Sequence, residues 1–177
     1  MIKRVLVALD GSEHAARALD VACEVASRFG ADLIALHVVP DKPLSEAERQ
    51  MAEVEFAAEV GRGFDLTRFA DARDDVRLMS RRLTEQAAQT AHRFRLALGE
   101  RLMEDAKARA RQQAVPSIRT VVREGDPAAA ILTVAGEENA DLIVMGRRGL
   151  GDLAGLLLGS VSHKVAHLAE CACLTVK

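Results

Sequence analysis

"KRVLVALDGSEHAARALDVACEVASRFGADLIALHVVP", residues 3–40, reads as a strand, a helix and a second strand. "KRVLVALD" is a short continuous run rich in Val and Leu, the pattern of a strand buried on both faces. It ends at Asp10-Gly11-Ser12, where Ser12 is placed to cap a helix. Ala16, Leu19, Ala22, Cys23 and Ala26 then recur at helical spacing, and Gly30 follows as a C-terminal cap. "ADLIALHVVP" is another buried strand, stopped by Pro40. Two strands joined by a helical crossover are expected to be parallel neighbours connected right-handedly.

The same grammar returns at the other end. "SIRTVVREG" reads as a strand, Asp126-Pro127 opens a helix through about Glu138, and "ADLIVMG" is a third fully buried run. A glycine-rich stretch follows, then a helix from about Ser160 to Ala169 and a last short strand, "CACLTV". "GADLIALHV" and "NADLIVMGR" are a weak internal echo, one local pattern used twice and not a duplicated domain. Strands alternating with helices predict an α/β fold with a parallel sheet covered on both faces.

Residues 41 to about 113 carry no buried-strand pattern. "LSEAERQMAEVEFAAEV" reads as an amphipathic helix with Ser45 as its cap, broken by Gly61 and Gly63. Residues 83–114 read as a long helix with a stripe of Ala87, Phe94, Leu98, Leu102 and Ala106. Gly99 inside it marks a kink point. The charged faces of these helices are read as solvated, although so long an apolar stripe also suits a partner.

The 177 residues suffice for one buried core. A net charge of −2 gives no basic surplus for nucleic acid, and without Trp or Tyr there is no stacking platform for single strands. No apolar run reaches membrane-spanning length. Cys171 and Cys173 form C-x-C without a second pair, so buried thiols in a reduced cytoplasmic chain are expected rather than a zinc site. His37, inside a strand, reads as a satisfied core or strand-end histidine in preference to a catalytic one. His163 and His167 have helical i, i+4 spacing but lack the carboxylate of a metal motif.

The chemistry concentrates in "GRRGLGDLAGLLLGSVSHKV", residues 146–165. Gly146 and Gly149 follow a buried strand, and Ser160 begins a helix. Ligands of open α/β sheets bind beyond the carboxyl ends of the strands. Glycines let backbone N–H groups approach a ligand, and the first N–H groups of a helix form an anion site. A polyphosphate fits between them, with Arg147 or Arg148 adding charge; the alternative is that the glycines serve turns and packing alone. Neither a Walker P-loop nor a G-x-G-x-x-G dinucleotide motif is present.

The spacing Gly146, two residues, Gly149, nine residues, Gly159-Ser160 resembles the motif of the ATP-binding branch of the universal stress protein family. "VLVALDGSEHAARAL", "ALHVV", "EGDPAAAIL" and the closing "SVSHKVAHLAECACLTVK" resemble further pieces of that family, in the same order. The resemblance covers roughly residues 1–40 and 115–177. It implies one domain over residues 1–177 with a five-stranded parallel sheet in order 3-2-1-4-5, and usually a homodimer. The implied ATP-binding positions are Ala8, Leu9, Asp10 and Val38 around adenine and ribose, and Met145 beside the base. Gly146, Gly149, Gly159, Ser160 and Val161 match the phosphate end. Asp10 reads as a ribose-hydroxyl acceptor in preference to a helix cap. Mg2+ comes with the nucleotide.

The family's middle stretch is usually shorter, so residues 41–90 read as a helical insertion able to hold a protein partner. The implied function is a nucleotide-dependent stress-response or signalling module. An interaction protein acting through the insertion, with nucleotide incidental, and a slow ATPase stay open beside it. No nucleophile–base–orienter set is visible, so at most weak ATP hydrolysis by positioning and metal is expected.

Overall fold

The computed structural model describes residues 1–41, 76–149 and 159–177, with backbone alone for 76–87. The helix expected at Ser45 and the breaks at Gly61 and Gly63 lie outside the described residues, as does the loop between Gly149 and Gly159.

The order is β1 (Arg4–Leu9), α1 (Glu13–Phe29), β2 (Asp32–Val39), α2 (Val76–Gln112), β3 (Ser117–Glu124), α3 (Pro127–Glu137), β4 (Leu142–Gly146), α4 (Ser160–Leu168) and β5 (Ala172–Val176). All five strands are parallel, in order β3-β2-β1-β4-β5. The expected α/β sheet and its order hold. So does a helical insertion between β2 and β3, described here as α2.

Local chemistry sets the helix ends. The Ala15 N–H donates to Ser12 Oγ at 3.2 Å, and the Ala129 N–H to Asp126 Oδ1 at 2.9 Å with Pro127 in the first turn. Gly30 ends α1 at φ 64°, a left-handed conformation that costs glycine no steric strain. At the amino end of the sheet, Asp141 Oδ2 accepts from the backbone N–H of Lys3 at 2.7 Å and of Arg4 at 3.0 Å, tying β1 to the start of β4.

Alternation along the strands sends neighbouring residues into two cores. Val5, Val7, Leu33, Ala35 and Val144 pack beneath α1 and the Met103–Ala110 face of α2. Leu6, Ile34, Leu36, Ile143 and Met145 pack against α3 and α4. The crossovers therefore change face about β1 and β4, and a crevice opens beyond the carboxyl ends of those strands.

α2 carries much of its expected stripe inward: Phe94, Leu98 and Ala106 are buried, and Leu102 packs against the first core. The helix runs through Gly99 unbroken. Gly99 also makes room for a neighbour, because a Cβ there would lie 2.7 Å from His37 Cδ2. One residue departs from the solvated-face reading. Arg95 is only 2% exposed, and its Nη1 donates to the Pro40 carbonyl at 2.9 Å.

Candidate functional site: a cleft at the carboxyl end of the sheet

The cleft begins where three central strands end. β1 supplies Ala8 and Leu9, followed by Asp10; β2 supplies His37 and Val38; β4 supplies Met145 and Gly146. Arg148 and Gly149 continue the wall after β4, and Gly159, Ser160 and Val161 close it at the start of α4. The residues expected around a nucleotide thus line one cleft, with Arg147 as the exception.

Arg147 and Arg148 are separated by backbone hydrogen bonding. The Arg147 N–H donates to the Val176 carbonyl at 2.7 Å. Its own carbonyl accepts from the Gly159 N–H at 2.9 Å and from Ser162 Oγ at 2.8 Å. Arg147 is therefore a knot tying the end of β4 to β5 and to the first turn of α4. Arg148, the next residue, is on the cleft wall, and its carbonyl accepts from Ser12 Oγ at 3.4 Å.

The glycines at and after the end of β4, Gly146 and Gly149, are needed for different reasons. A Cβ on Gly146 would come within 2.8 Å of His14 Cβ and 2.9 Å of the Ala15 nitrogen. Gly146 thus lets the first turn of α1 pack onto the strand end. A Cβ on Gly149 would run into Asp10 Oδ2. The other carboxylate oxygen, Oδ1, accepts from the Ser12 N–H at 3.0 Å, and Gly11 makes the intervening turn at φ 86°. Asp10 is thereby held by its own turn while Ser12 caps the helix.

At the opposite side of the cleft, α4 begins at Gly159, with no side-chain cap among the described residues. Its first turn carries backbone donors and the positive end of the helix dipole into the cleft wall at Ser160 and Val161. Ser162 spends its hydroxyl on the Gly159 and Arg147 carbonyls. The arrangement is an acidic acceptor at β1 facing an anion-accepting helix start and an arginine.

Sequence reasoning missed part of the wall. Arg95 and Leu98 reach it from α2, Pro127 and Ile131 from α3. Leu98 was read only as part of a packing stripe and Pro127 only as a helix start; three-dimensional packing brings all four to the cleft. His37 lies inside its strand as expected, only 3% exposed, with Nδ1 2.8 Å from the Leu9 carbonyl, but it is only half satisfied, since its Nε2 has no partner among the described residues. It is also part of the cleft wall.

Burial pushes the Cys171 and Cys173 thiols up from their ordinary value, and Cys173 Sγ donates to the Cys171 carbonyl at 3.8 Å. Among the described residues there is no group of three His, Cys, Asp or Glu able to hold a metal, and no helix long and apolar enough to cross a membrane.

The universal stress protein family model matches residues 1–177. The universal stress protein YxiE of Bacillus subtilis is 33% identical over 178 residues, covering 100% of both chains. Among solved structures, the universal stress protein UspA from Lactobacillus plantarum superposes with a TM-score of 0.71 at 21% identity, over 99% of this chain and 98% of the other. A universal stress protein solved in complex with cAMP matches with a TM-score of 0.58 at 23% identity, over 99% of this chain and 96% of its own. With the family model spanning the whole chain, the sheet order in place and a full-length relative at this identity, the chain belongs to the universal stress protein family.

Proposed function

We propose that this chain is an ATP-binding universal stress protein that changes state or partner with nucleotide. The observation that carries the reading is the convergence of Asp10, Arg148 and the uncapped start of α4 on one cleft. In this reading the phosphates lie against Gly149, Ser160 and Val161, whose backbone N–H groups and helix dipole accept anionic charge. Arg148 adds a cation. The ribose lies over β1, where the Asp10 carboxylate accepts from its hydroxyls. The base extends toward Val38. The cAMP complex of a structural neighbour supports a nucleotide as the ligand class.

Asp10 is the only carboxylate among the described lining residues. A divalent ion, when bound, would come with the nucleotide as a companion of the phosphates, since the Asp10 carboxylate is given to the ribose. Mg2+ characteristically keeps several waters and binds through few carboxylates and substrate phosphates. It neutralises phosphate charge.

The chain is further read as a cytoplasmic homodimer. β5 is an edge strand with Leu174 39% exposed, a surface suited to a second copy. Three free cysteines suit a reducing compartment. Calorimetry with ATP and magnesium, together with mass spectrometry of any co-purified nucleotide, tests the reading. Saturable binding is expected, and no heat at millimolar ATP would overturn it.

A further inference from the structure

The imidazole of His37 has one nitrogen with a partner and one without. Nδ1 lies 2.8 Å from the Leu9 carbonyl oxygen. A carbonyl only accepts, so the ring proton belongs on Nδ1 and, in the neutral ring, Nε2 is an acceptor. That Nε2 is buried and has no hydrogen-bond partner among the described residues. Buried polar atoms in folded proteins are overwhelmingly paired, which makes this one a place to look for a ligand. The ring cannot readily turn away. The Leu9 carbonyl holds one side, and on the other α2 comes so near that a Cβ on Gly99 would lie 2.7 Å from the ring.

The sheet order locates this acceptor. The proposed phosphate end lies at β4 and α4, the ribose acceptor Asp10 follows β1, and His37 lies on β2, in register with Leu9. Two strand spacings, about 10 Å, separate β4 from β2. A nucleotide laid across the strand ends from phosphate to sugar therefore brings its base to His37. Arg95, the other polar side chain at this end, can only donate.

Building on the ATP reading, we propose that His37 reads the base: its Nε2 accepts a hydrogen bond from the exocyclic amino group of adenine and selects 6-aminopurine nucleotides. The test compares ATP with purine riboside triphosphate, which lacks the 6-amino group, by calorimetry. Wild-type protein is expected to prefer ATP by about tenfold, the worth of one buried hydrogen bond. His37→Leu should weaken ATP by about that factor and leave the analogue unchanged, and His37→Gln should retain part of the preference. In histidine labelled with nitrogen-15, the His37 Nε2 resonance should move with ATP and not with the analogue. If His37→Leu fails to fold, the wild-type comparison and the resonance decide. Equal affinities in the wild type, or a preference that survives in His37→Leu, overturns the base-reading role alone. Failure of both nucleotides to bind overturns the ATP reading and this one with it.

Discussion

Asp10 and Gly149 meet across the cleft: Asp10 Oδ2 lies where a side chain on Gly149 would begin. The carboxylate and the glycine come from the ends of different strands, and the absence of a Cβ lets them share the space. Gly149→Val is therefore expected to give a folded protein that binds ATP at least tenfold more weakly, because the carboxylate must leave its position. Calorimetry checks affinity, and circular dichroism checks the fold. Unchanged affinity would show that Asp10 does not need this placement.

Gly146 should behave differently, although it belongs to the same motif. Its added Cβ meets backbone of α1, at His14 and Ala15, instead of the end of a side chain. Backbone in a packed helix cannot step aside cheaply. Gly146→Ala is expected to lower stability by about 1–3 kcal/mol, read as a fall in the urea midpoint without ligand. A midpoint equal to wild type would contradict the packing role.

Gly99→Ala sets helix propensity against packing. Alanine is the better helix former by about 1 kcal/mol, yet the new methyl would lie 2.7 Å from the His37 ring. Because Leu9 holds that ring, the clash is expected to win: net destabilisation and weaker ATP binding. A stabilised variant with unchanged affinity would mean the ring moves freely.

Asp141 should make stability depend on acid. The Lys3 and Arg4 backbone N–H groups hold its carboxyl below the usual carboxylate value. A carboxyl depressed in the folded state stabilises fully above its unfolded value of about 3.9 and loses that contribution as pH falls through the folded value. Asp141→Asn should thus lie below wild type in urea midpoint near neutral pH, with the gap closing in strong acid. A gap independent of pH would contradict this linkage.

Cys23 should be inert in the native state. Its thiol is buried, and burial together with the nearby Asp20 charge pushes it up to about 11. Thiolate is the reactive form. Labelling by iodoacetamide at neutral pH should therefore wait for unfolding, as peptide mass spectrometry would reveal. Rapid labelling of folded protein would show that α1 opens readily.

The element order was legible because its signals are local. Buried runs of Val, Leu and Ile, the Ser12 and Asp126 caps and the Gly30 terminator each act within a few residues, and the alternation of strand and helix then restricts the sheet to parallel crossovers. The positions of Asp10 and Gly146 at strand ends followed from the same pattern, whereas Val38 and Met145 came from the family resemblance. Tertiary structure alone decided which of two adjacent arginines is on the cleft wall. It did so through the hydrogen bonds from Val176, Gly159 and Ser162 that fix the Arg147 backbone. It also decided that Gly146 serves α1, that Gly149 yields space to Asp10, that Gly99 makes room for His37, and that Arg95 and His37 line the same cleft. These relations join residues tens of positions apart, so no periodicity or cap along the chain encodes them; they arise when two helices close on a twisted sheet.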